Sequence, residues 1–271
     1  MGRTIACTNQ KGGVGKTTTV VNLATYLALL GDRVLVIDLD PQGNATSGFG
    51  IDRASVEGSI YDALVDEMPL SGLHVATPVD GLRLVPSSMS LAGAEVELTP
   101  IAGRERRLGH AIRAEQDAWD WILVDCPPSL GLLSVNALTA AQAVLVPVQC
   151  EYYALEGLTL LISTINLVRD HLNPDLEISG VVLTMFDART NLSAEVAAEV
   201  RRHLHGVVFD TIVPRSVRLS EAPSHGLPIA LYRPDSKGAE AYQRLARELV
   251  ARRGPFERVT VPMSIPAGAV A

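Results

Sequence analysis

The residues best suited to chemistry lie in the segment Lys11-Gly-Gly-Val-Gly-Lys-Thr17, which directly follows the apolar run Arg3–Thr8. Its glycines let backbone N–H groups turn inward toward a polyphosphate, and the start of a helix adds a positive dipole. In such a loop the lysine reaches the β- and γ-phosphates, and the following hydroxyl binds Mg²⁺. The spacing therefore predicts a polyphosphate and Mg²⁺ site built on Gly12, Gly13, Val14, Gly15, Lys16, Thr17 and Thr18.

One position departs from the common form of this loop. Gln10 stands where the standard pattern has glycine, and a second lysine, Lys11, opens the loop. The alternative interpretation is a tight turn between a strand and a helix that exposes two lysines to solvent. A strand before the loop and a helix after it favour the phosphate site over that alternative.

Three carboxylates follow apolar runs elsewhere in the chain. Asp38 and Asp40 follow Val34–Ile37, and Asp125 follows Ile122–Val124. Residues two apart on a strand face the same side, although Pro41 favours an extended or turn geometry at Asp40. The alternative for Asp38 and Asp40 is that they cap turns.

The elements that would position these residues alternate between strand and helix. Runs such as Ala143–Val148 are apolar throughout, as expected of parallel strands buried on both faces. The pattern predicts an α/β fold, a doubly wound and mostly parallel sheet flanked by helices, with ligands at the carboxyl ends of its strands. Residues 44–58 are predicted as loop, and an amphipathic helix is predicted over 237–253 with Tyr242, Leu245, Leu249 and Val250 near one face.

Residues 1–253 are predicted to form a single domain, and the proline-containing segment 254–271 a flexible tail. No apolar run reaches membrane-spanning length, and the N-terminus lacks the pattern of a signal peptide. Cys7 and Cys126 fall in predicted core strands and are interpreted as buried free thiols. These features predict a cytoplasmic location without membrane association.

Several motifs together resemble a known family. Thr8–Thr18 resembles the deviant Walker A motif of the ParA/MinD class of P-loop ATPases. Val36–Asn44 is similar to the second acidic motif of that class, and Ile122–Ser129 to its Walker B strand and switch. Leu183–Arg189 and Pro214–Pro223 resemble the corresponding segments of ParA-type partition ATPases of the Soj-like subgroup. The resemblance covers about residues 2–250.

The resemblance implies a slow, partner-stimulated ATPase that binds ATP or ADP with Mg²⁺. By carry-over, Lys16 and Lys11 are catalytic, and Asp40 orients or activates the attacking water. Asp38 lies nearer the Mg²⁺ waters, and Asp125 holds Mg²⁺ indirectly. The adenine is expected near Met185, Pro214 and Arg215.

The same resemblance assigns Lys11 to a two-fold interface. In similar proteins the extra lysine reaches the nucleotide of the partner subunit, which makes ATP part of a sandwich homodimer. Gly12 would then lie at a closely packed seam, where a Cβ has little room. Hydrolysis would loosen such a dimer.

DNA binding is implied by resemblance and not by bulk charge, because the net charge is −7. In similar proteins the arginines matching Arg189 and Arg218 lie on the face that contacts DNA. Their alternative roles are solvated surface charge or pairing with Asp187 or Glu221. Further arginines at 104–107, 201–202 and 252–253 are equally consistent with ordinary helix surfaces.

The expected binding is to double-stranded DNA, independent of sequence and sensitive to salt. Fewer than ten residues precede the loop, which leaves no room there for a helix-turn-helix domain. The resemblance further implies a ParB-type centromere-binding partner, a replication initiator as a further partner, and a nucleoid-associated location.

Two other function classes remain open at this point. A MinD-like ATPase at the division site would need a basic amphipathic helix near the C-terminus, where Pro255 and Pro262 interrupt the sequence. A regulator would use ATP only as a conformational ligand and control replication initiation or transcription.

Overall fold

The structure is a computed structural model that describes residues 2–151 and 154–252. Within these ranges one sheet contains the strands β1 (Arg3–Cys7), β2 (Val34–Asp38), β3 (Val75–Ala76), β4 (Leu82–Val85), β5 (Trp121–Asp125), β6 (Ala143–Gln149), β7 (Glu177–Phe186) and β8 (Val208–Pro214). Their order across the sheet is β3-β4-β2-β5-β1-β6-β7-β8. Neighbouring strands are parallel except β3 with β4, which confirms the predicted fold class.

Helices cover both faces of this sheet. They are α1 (Lys16–Leu29), α2 (Asn44–Gly48), α3 (Ile60–Val65), α4 (Leu91–Leu98), α5 (Arg107–Arg113), α6 (Leu132–Ala140), α7 (Ala154–His171), α8 (Asn191–His203), α9 (Val217–Glu221), α10 (Ile229–Tyr232) and α11 (Lys237–Ala251). No helix in the described ranges combines the length and apolarity needed to cross a membrane.

The strands are buried on both faces because successive side chains enter two separate cores. In β2, Leu35 and Ile37 pack with residues of α3 through α8, whereas Val34 and Val36 pack with α1, α10 and α11. Fully apolar strands, and not alternating ones, are what this two-sided burial requires. The sequence pattern therefore led to the correct architecture.

The closing helix confirms its predicted apolar face. Tyr242, Leu245 and Leu249 of α11 are buried against α1 and β8, and Val250 is half-buried. The Tyr242 and Thr19 hydroxyls are hydrogen bonded at 3.1 Å, which joins α11 to α1.

The prediction that residues 44–58 form a loop is wrong in part. Residues Asn44–Gly48 form α2, because Thr46 donates to the buried carboxylate of Asp38 through its backbone N–H and its hydroxyl. The short elements β3, α9 and α10 were also not predicted from the sequence. The single domain over 1–253 stays a prediction, and the tail 254–271 lies outside the described residues.

Candidate functional site

The glycine-rich loop connects β1 to α1 at the carboxyl edge of the sheet. Gly13 and Gly15 adopt φ values of 75° and 89°, which side-chain-bearing residues rarely take. The Asn9 side chain fixes the start of the loop, because it donates to the Pro147 carbonyl at 2.7 Å and accepts from the Lys11 N–H at 3.0 Å. The loop is therefore tied to the end of β6 as well as to β1.

The register of the central strands brings the predicted carboxylates beneath this loop. Asp125 at the end of β5 is paired in register with Cys7 of β1 on one side and with Asp38 of β2 on the other. Asp38 and Asp125 are both fully buried, and Lys16 at the start of α1 is 7% exposed. Loop and carboxylates thus meet at the same edge, as the sequence predicted.

Asp125 has the features of a cation-binding carboxylate. Both of its oxygens are buried, and within the described residues neither accepts a hydrogen bond of normal geometry. Burial, with the Asp38 carboxylate as the next cause, raises the pKa of Asp125 well above its ordinary value, while the Thr17 hydroxyl and the Lys16 ammonium act in the opposite direction. A buried carboxylate without partners is costly unless a positive charge approaches it.

Asp38, in contrast, is already bound by protein donors. Its oxygens accept from the Thr46 N–H at 2.7 Å, the Thr46 hydroxyl at 2.6 Å and the Asp40 N–H at 3.3 Å. Burial nevertheless raises its pKa to about 6. Asp38 therefore organises the polypeptide around the site as well as carrying charge.

Asp40 opens a tight turn that ends at Gly43. Its carboxylate accepts from the Gln42 N–H at 2.9 Å, and its carbonyl accepts from the Gly43 N–H at 2.9 Å. The buried hydroxyl of Ser87 also donates to the Asp40 carbonyl at 2.7 Å. The backbone of Asp40 is thereby fixed from two sides.

These elements enclose a cleft of about 610 Å³. Its walls include residues of the loop and its helix, together with Asp40, Pro128 and Met185 from three other segments. The loop and helix residues are Gly12, Gly13, Gly15, Lys16, Thr17 and Thr18. A volume in this range is that of a typical small-molecule site.

A second cavity of about 440 Å³ adjoins the first and holds the predicted base-binding residues. Met185, Pro214 and Arg215 all line it. Met185 has a positive φ of 51°, a conformation that a non-glycine residue adopts at a cost. Beside it, the Thr184 hydroxyl donates to the Val14 carbonyl at 2.8 Å and ties β7 to the glycine-rich loop.

Lys11 does not line either cavity. Its Nζ lies 3.3 Å from Glu151, whose carboxylate also accepts from Arg215 at 3.4 Å. Both partners of the Lys11–Glu151 pair are about one-third or more exposed, so water screens the attraction. A Cβ at Gly12 would meet no atom of the described chain within 4 Å, so crowding there would have to come from another molecule.

The arginines predicted to contact DNA follow the carboxyl ends of two neighbouring strands, β7 and β8. Arg189 binds both oxygens of Asp187, at 2.9 and 2.7 Å, although its side chain is 86% exposed. Arg218 lies 2.7 Å from Glu221. These are the pairs that the sequence suggested as the alternative to a DNA contact. Both arginine side chains are largely exposed, at 86% and 48%, so water reaches them in these pairs.

The other arginine runs also form intramolecular ion pairs. Arg107 pairs with Glu67, Arg202 with Glu199, and Arg252 with Glu248. Arg252 also lies over the Phe209 ring at 4.2 Å. These contacts between β8 and the end of α11 account for the position of Arg252 without a bound ligand.

Sequence reasoning missed the polar residues that support the site. These are Asn9, Thr46, Ser87 and Glu151. Asn9 could have been predicted, because in turns an asparagine side chain often accepts a hydrogen bond from the backbone N–H two residues further along the chain. The others come from segments far apart in the chain, and no local pattern marks them. In the described part of the chain no cluster of three or more His, Cys, Asp or Glu residues could hold a metal by itself.

The chain is similar to a protein family and to several known proteins over most of its length. The protein family described as an AAA domain matches residues 2–178. The chain is 58% identical over 251 residues to the sporulation initiation inhibitor protein Soj of Bacillus subtilis, covering 93% of this chain and 99% of that protein. It is 53% identical to the chromosome partitioning protein ParA of Myxococcus xanthus, covering 94% of this chain and 90% of that one.

Among solved structures, cobyrinic acid a,c-diamide synthase of Mycobacterium smegmatis with bound ADP and magnesium superposes with a TM-score of 0.81. It is 38% identical and covers 92% of this chain and 94% of its own.

Proposed function

Because the chain belongs to the Soj/ParA family of chromosome-partitioning ATPases, we propose that it hydrolyses ATP as a dimer and uses that cycle to partition chromosomal or plasmid DNA. The observation that carries the proposal is the convergence of three strands. The phosphate loop after β1, Asp38 at the end of β2 and Asp125 at the end of β5 meet at one edge of the sheet, beside the 610 Å³ cleft.

The loop holds the triphosphate. Positive φ at Gly13 and Gly15 allows successive N–H groups to face an anion, and the N-terminus of α1 adds its dipole. Lys16 neutralises the β- and γ-phosphates. Gly12, Val14 and Thr18 complete the loop and its first helical turn.

Thr17 and Asp125 fit a magnesium ion. Mg²⁺ commonly keeps several waters and binds protein through few ligands, so the Thr17 hydroxyl would bind the ion directly and Asp125 would hold it through its waters. The unpartnered oxygens of Asp125 would accept hydrogen bonds from those waters, and its raised pKa would fall once the cation is bound. Asp38 faces the same region. The bound cation would neutralise charge that develops on the phosphates.

Asp40 orients the water that attacks the γ-phosphate. It lines the cleft, and its backbone is fixed by Ser87 and by the turn to Gly43. Phosphoryl transfer depends on positioning and charge neutralisation, for which a rigidly held carboxylate suffices. The base occupies the adjoining cavity against Met185, Pro214 and Arg215.

Lys11 joins two copies of the chain. It crosses to the partner's nucleotide after leaving Glu151, a weak and exposed pair that is easily exchanged. ATP thereby becomes part of the interface, and Gly12 lies at the seam, where no atom of the described residues crowds it.

The assembled dimer binds double-stranded DNA through Arg189 and Arg218, which places the protein on the nucleoid. Phosphate oxygens replace the carboxylates of Asp187 and Glu221, and the dimer doubles the number of contacts. A ParB-type centromere-binding protein stimulates hydrolysis and releases the complex. The B. subtilis relative is named an inhibitor of sporulation initiation, and a regulatory role of that kind is a second candidate function.

The decisive experiment measures DNA binding by the Asp40→Ala protein with ATP, with ADP and without nucleotide, across a salt series. We expect binding only with ATP, falling steeply as salt rises, because the variant holds ATP without hydrolysing it. The Asp80→Ala protein is the matched control, since Asp80 is exposed just before β4, at the opposite edge of the sheet. An ATP-bound dimer that ignores DNA would contradict the proposal.

A further inference from the structure

A half-buried arginine lies directly behind the turn that carries Asp40. Arg53 donates from its two terminal nitrogens to the carbonyls of Gln42, at 2.6 Å, and Pro41, at 2.7 Å. Consecutive backbone carbonyls are thus held by one planar group. Only arginine presents paired donors in this fixed fork.

Gly43 is shaped to receive this side chain. It has a φ of 64°, and a Cβ there would lie 2.4 Å from the Arg53 Nε and 2.5 Å from its Cδ. The guanidinium therefore packs against bare backbone at Gly43. Its Nε is buried, and no atom of the described residues accepts a hydrogen bond from it, a cost that the two short bonds to carbonyls must offset.

Arg53 is itself held in place. Asp52 forms a local turn, in which its carboxylate accepts from the Ala54 N–H and its carbonyl from the Ser55 N–H, both at 3.0 Å. On the other side, Gly50 packs against the Gly226 backbone, so that a Cβ at Gly50 would lie 2.8 Å from the Gly226 carbonyl oxygen. The arginine projects from a braced segment and not from a free loop.

The clamped turn fixes Asp40. The Gln42 N–H donates to the Asp40 carboxylate, and the Gly43 N–H donates to its carbonyl. Any movement of the Pro41 or Gln42 peptide away from Arg53 would therefore change the orientation of the Asp40 carboxylate. The contact with Ser87 reaches only the backbone of Asp40 and does not set its side chain.

We propose that Arg53 is a positioning residue for hydrolysis, which clamps the Pro41–Gly43 turn and so aims the Asp40 carboxylate at the attacking water. The inference rests on the proposed role of Asp40 and extends it to a residue that does not line the cleft. It predicts a specific loss of kcat, because misplacement of a catalytic group costs rate without weakening ground-state binding.

The test compares Arg53→Met, Arg53→Lys and the control Arg83→Met in steady-state ATP hydrolysis, with ATP affinity and the thermal midpoint measured on each. Arg83 is exposed on β4, away from the cleft. For Arg53→Met we expect a kcat about tenfold lower, from the loss of two charge-assisted hydrogen bonds. KM, ATP affinity and ATP-dependent dimerisation of Arg53→Met should match wild type. Arg53→Lys should have a kcat between those of Arg53→Met and wild type, because lysine restores one donor but not the paired donors of the guanidinium.

A second variant separates positioning from general damage. Gly43→Ala should lower kcat in the wild-type background because its Cβ collides with Arg53, and by less in the Arg53→Ala background, where that collision is gone. Additive effects, an unchanged kcat in Arg53→Met, or a kcat loss accompanied by loss of ATP affinity or of the dimer would each overturn the inference. Wild-type protein that hydrolyses no ATP in the same assay would instead defeat the proposed function itself.

Discussion

At the scale of single residues, the site is dominated by buried carboxylates whose charge is unfavourable without a ligand. Asp38 and Asp125 occupy adjacent register positions in the centre of the sheet, and burial raises both pKa values. A protein that buries such a pair loses stability in the unliganded state and regains it when a cation binds. Such a loss of stability in the unliganded state is typical of ligand-binding sites.

The Asp38 pKa gives a prediction about stability. A carboxyl with a native pKa of about 6 and an unfolded pKa of 3.8 stabilises the native state below pH 3.8, and this contribution is lost as pH rises to about 6. The difference between these two pKa values corresponds to about 3 kcal/mol of unfolding free energy. Asp38→Asn should therefore flatten the fall in unfolding free energy between pH 4 and 6.5, approximate limits set by these pKa values, measured by denaturant unfolding with EDTA present.

The comparison is between the two pH profiles and not between absolute stabilities, because the Asp38→Asn substitution also changes the hydrogen bonds with Thr46. Asp80→Asn, at an exposed position before β4, is the control and should keep the wild-type slope. Parallel profiles for wild type and Asp38→Asn would contradict the pKa argument.

At the scale of elements, the loop is held by what packs around α1. The helix enters the core between β1 and α11, and its contact with α11 includes the fully buried Leu245 and the Tyr242–Thr19 hydrogen bond. Stability of the site is therefore set partly by the last helix of the chain, more than 200 residues from the loop in sequence.

Removal of the Leu245 side chain tests this coupling. Leu245→Ala should lower the free energy of unfolding by about 2–5 kcal/mol, because it leaves a cavity in a fully buried position. Arg247→Ala, exposed on the same helix, should change it by about 0.5 kcal/mol or less. Equal effects of the two substitutions in urea unfolding would show that α11 is not part of the cooperative core.

At the scale of the whole molecule, the cleft opens beside Lys11 and the arginines that follow β7 and β8. All these groups lie after the carboxyl ends of strands, so one edge of the sheet carries nucleotide, dimer and DNA contacts in the proposed cycle. Lys11 is the group that would couple the nucleotide contacts to the dimer contacts. It belongs to the glycine-rich loop, but its side chain pairs with Glu151 outside the cleft.

Lys11→Ala should abolish ATP-dependent dimerisation and leave ATP binding by the monomer intact. Loss of the exposed Glu151 pair should hardly alter stability. Sedimentation velocity with ATP measures the first quantity, and nucleotide titration the second. Lys237→Ala, exposed at the start of α11, should dimerise normally. A normal ATP dimer of Lys11→Ala would refute the assignment.

The sequence by itself determined the mostly parallel sheet and the meeting of loop and carboxylates at one edge. These features depend on periodicity, on apolar strands and on residues adjacent to strand ends, which are local properties of the chain. Asp125 and Lys16 were predicted as site residues because each lies in a motif that a strand or helix terminus positions directly.

Only the tertiary structure decided what surrounds those groups. Thr46 donates to Asp38, whereas the Asp125 oxygens have no hydrogen-bond partner among the described residues; Glu151 holds Lys11, and Arg53 clamps the Asp40 turn. All these contacts depend on packing between distant segments. The formation of α2 has the same cause, since a five-residue helix has little stability of its own and forms around the buried Asp38 carboxylate. Side-chain partners that are remote in sequence leave no local pattern, and so they emerge only when the chain is folded.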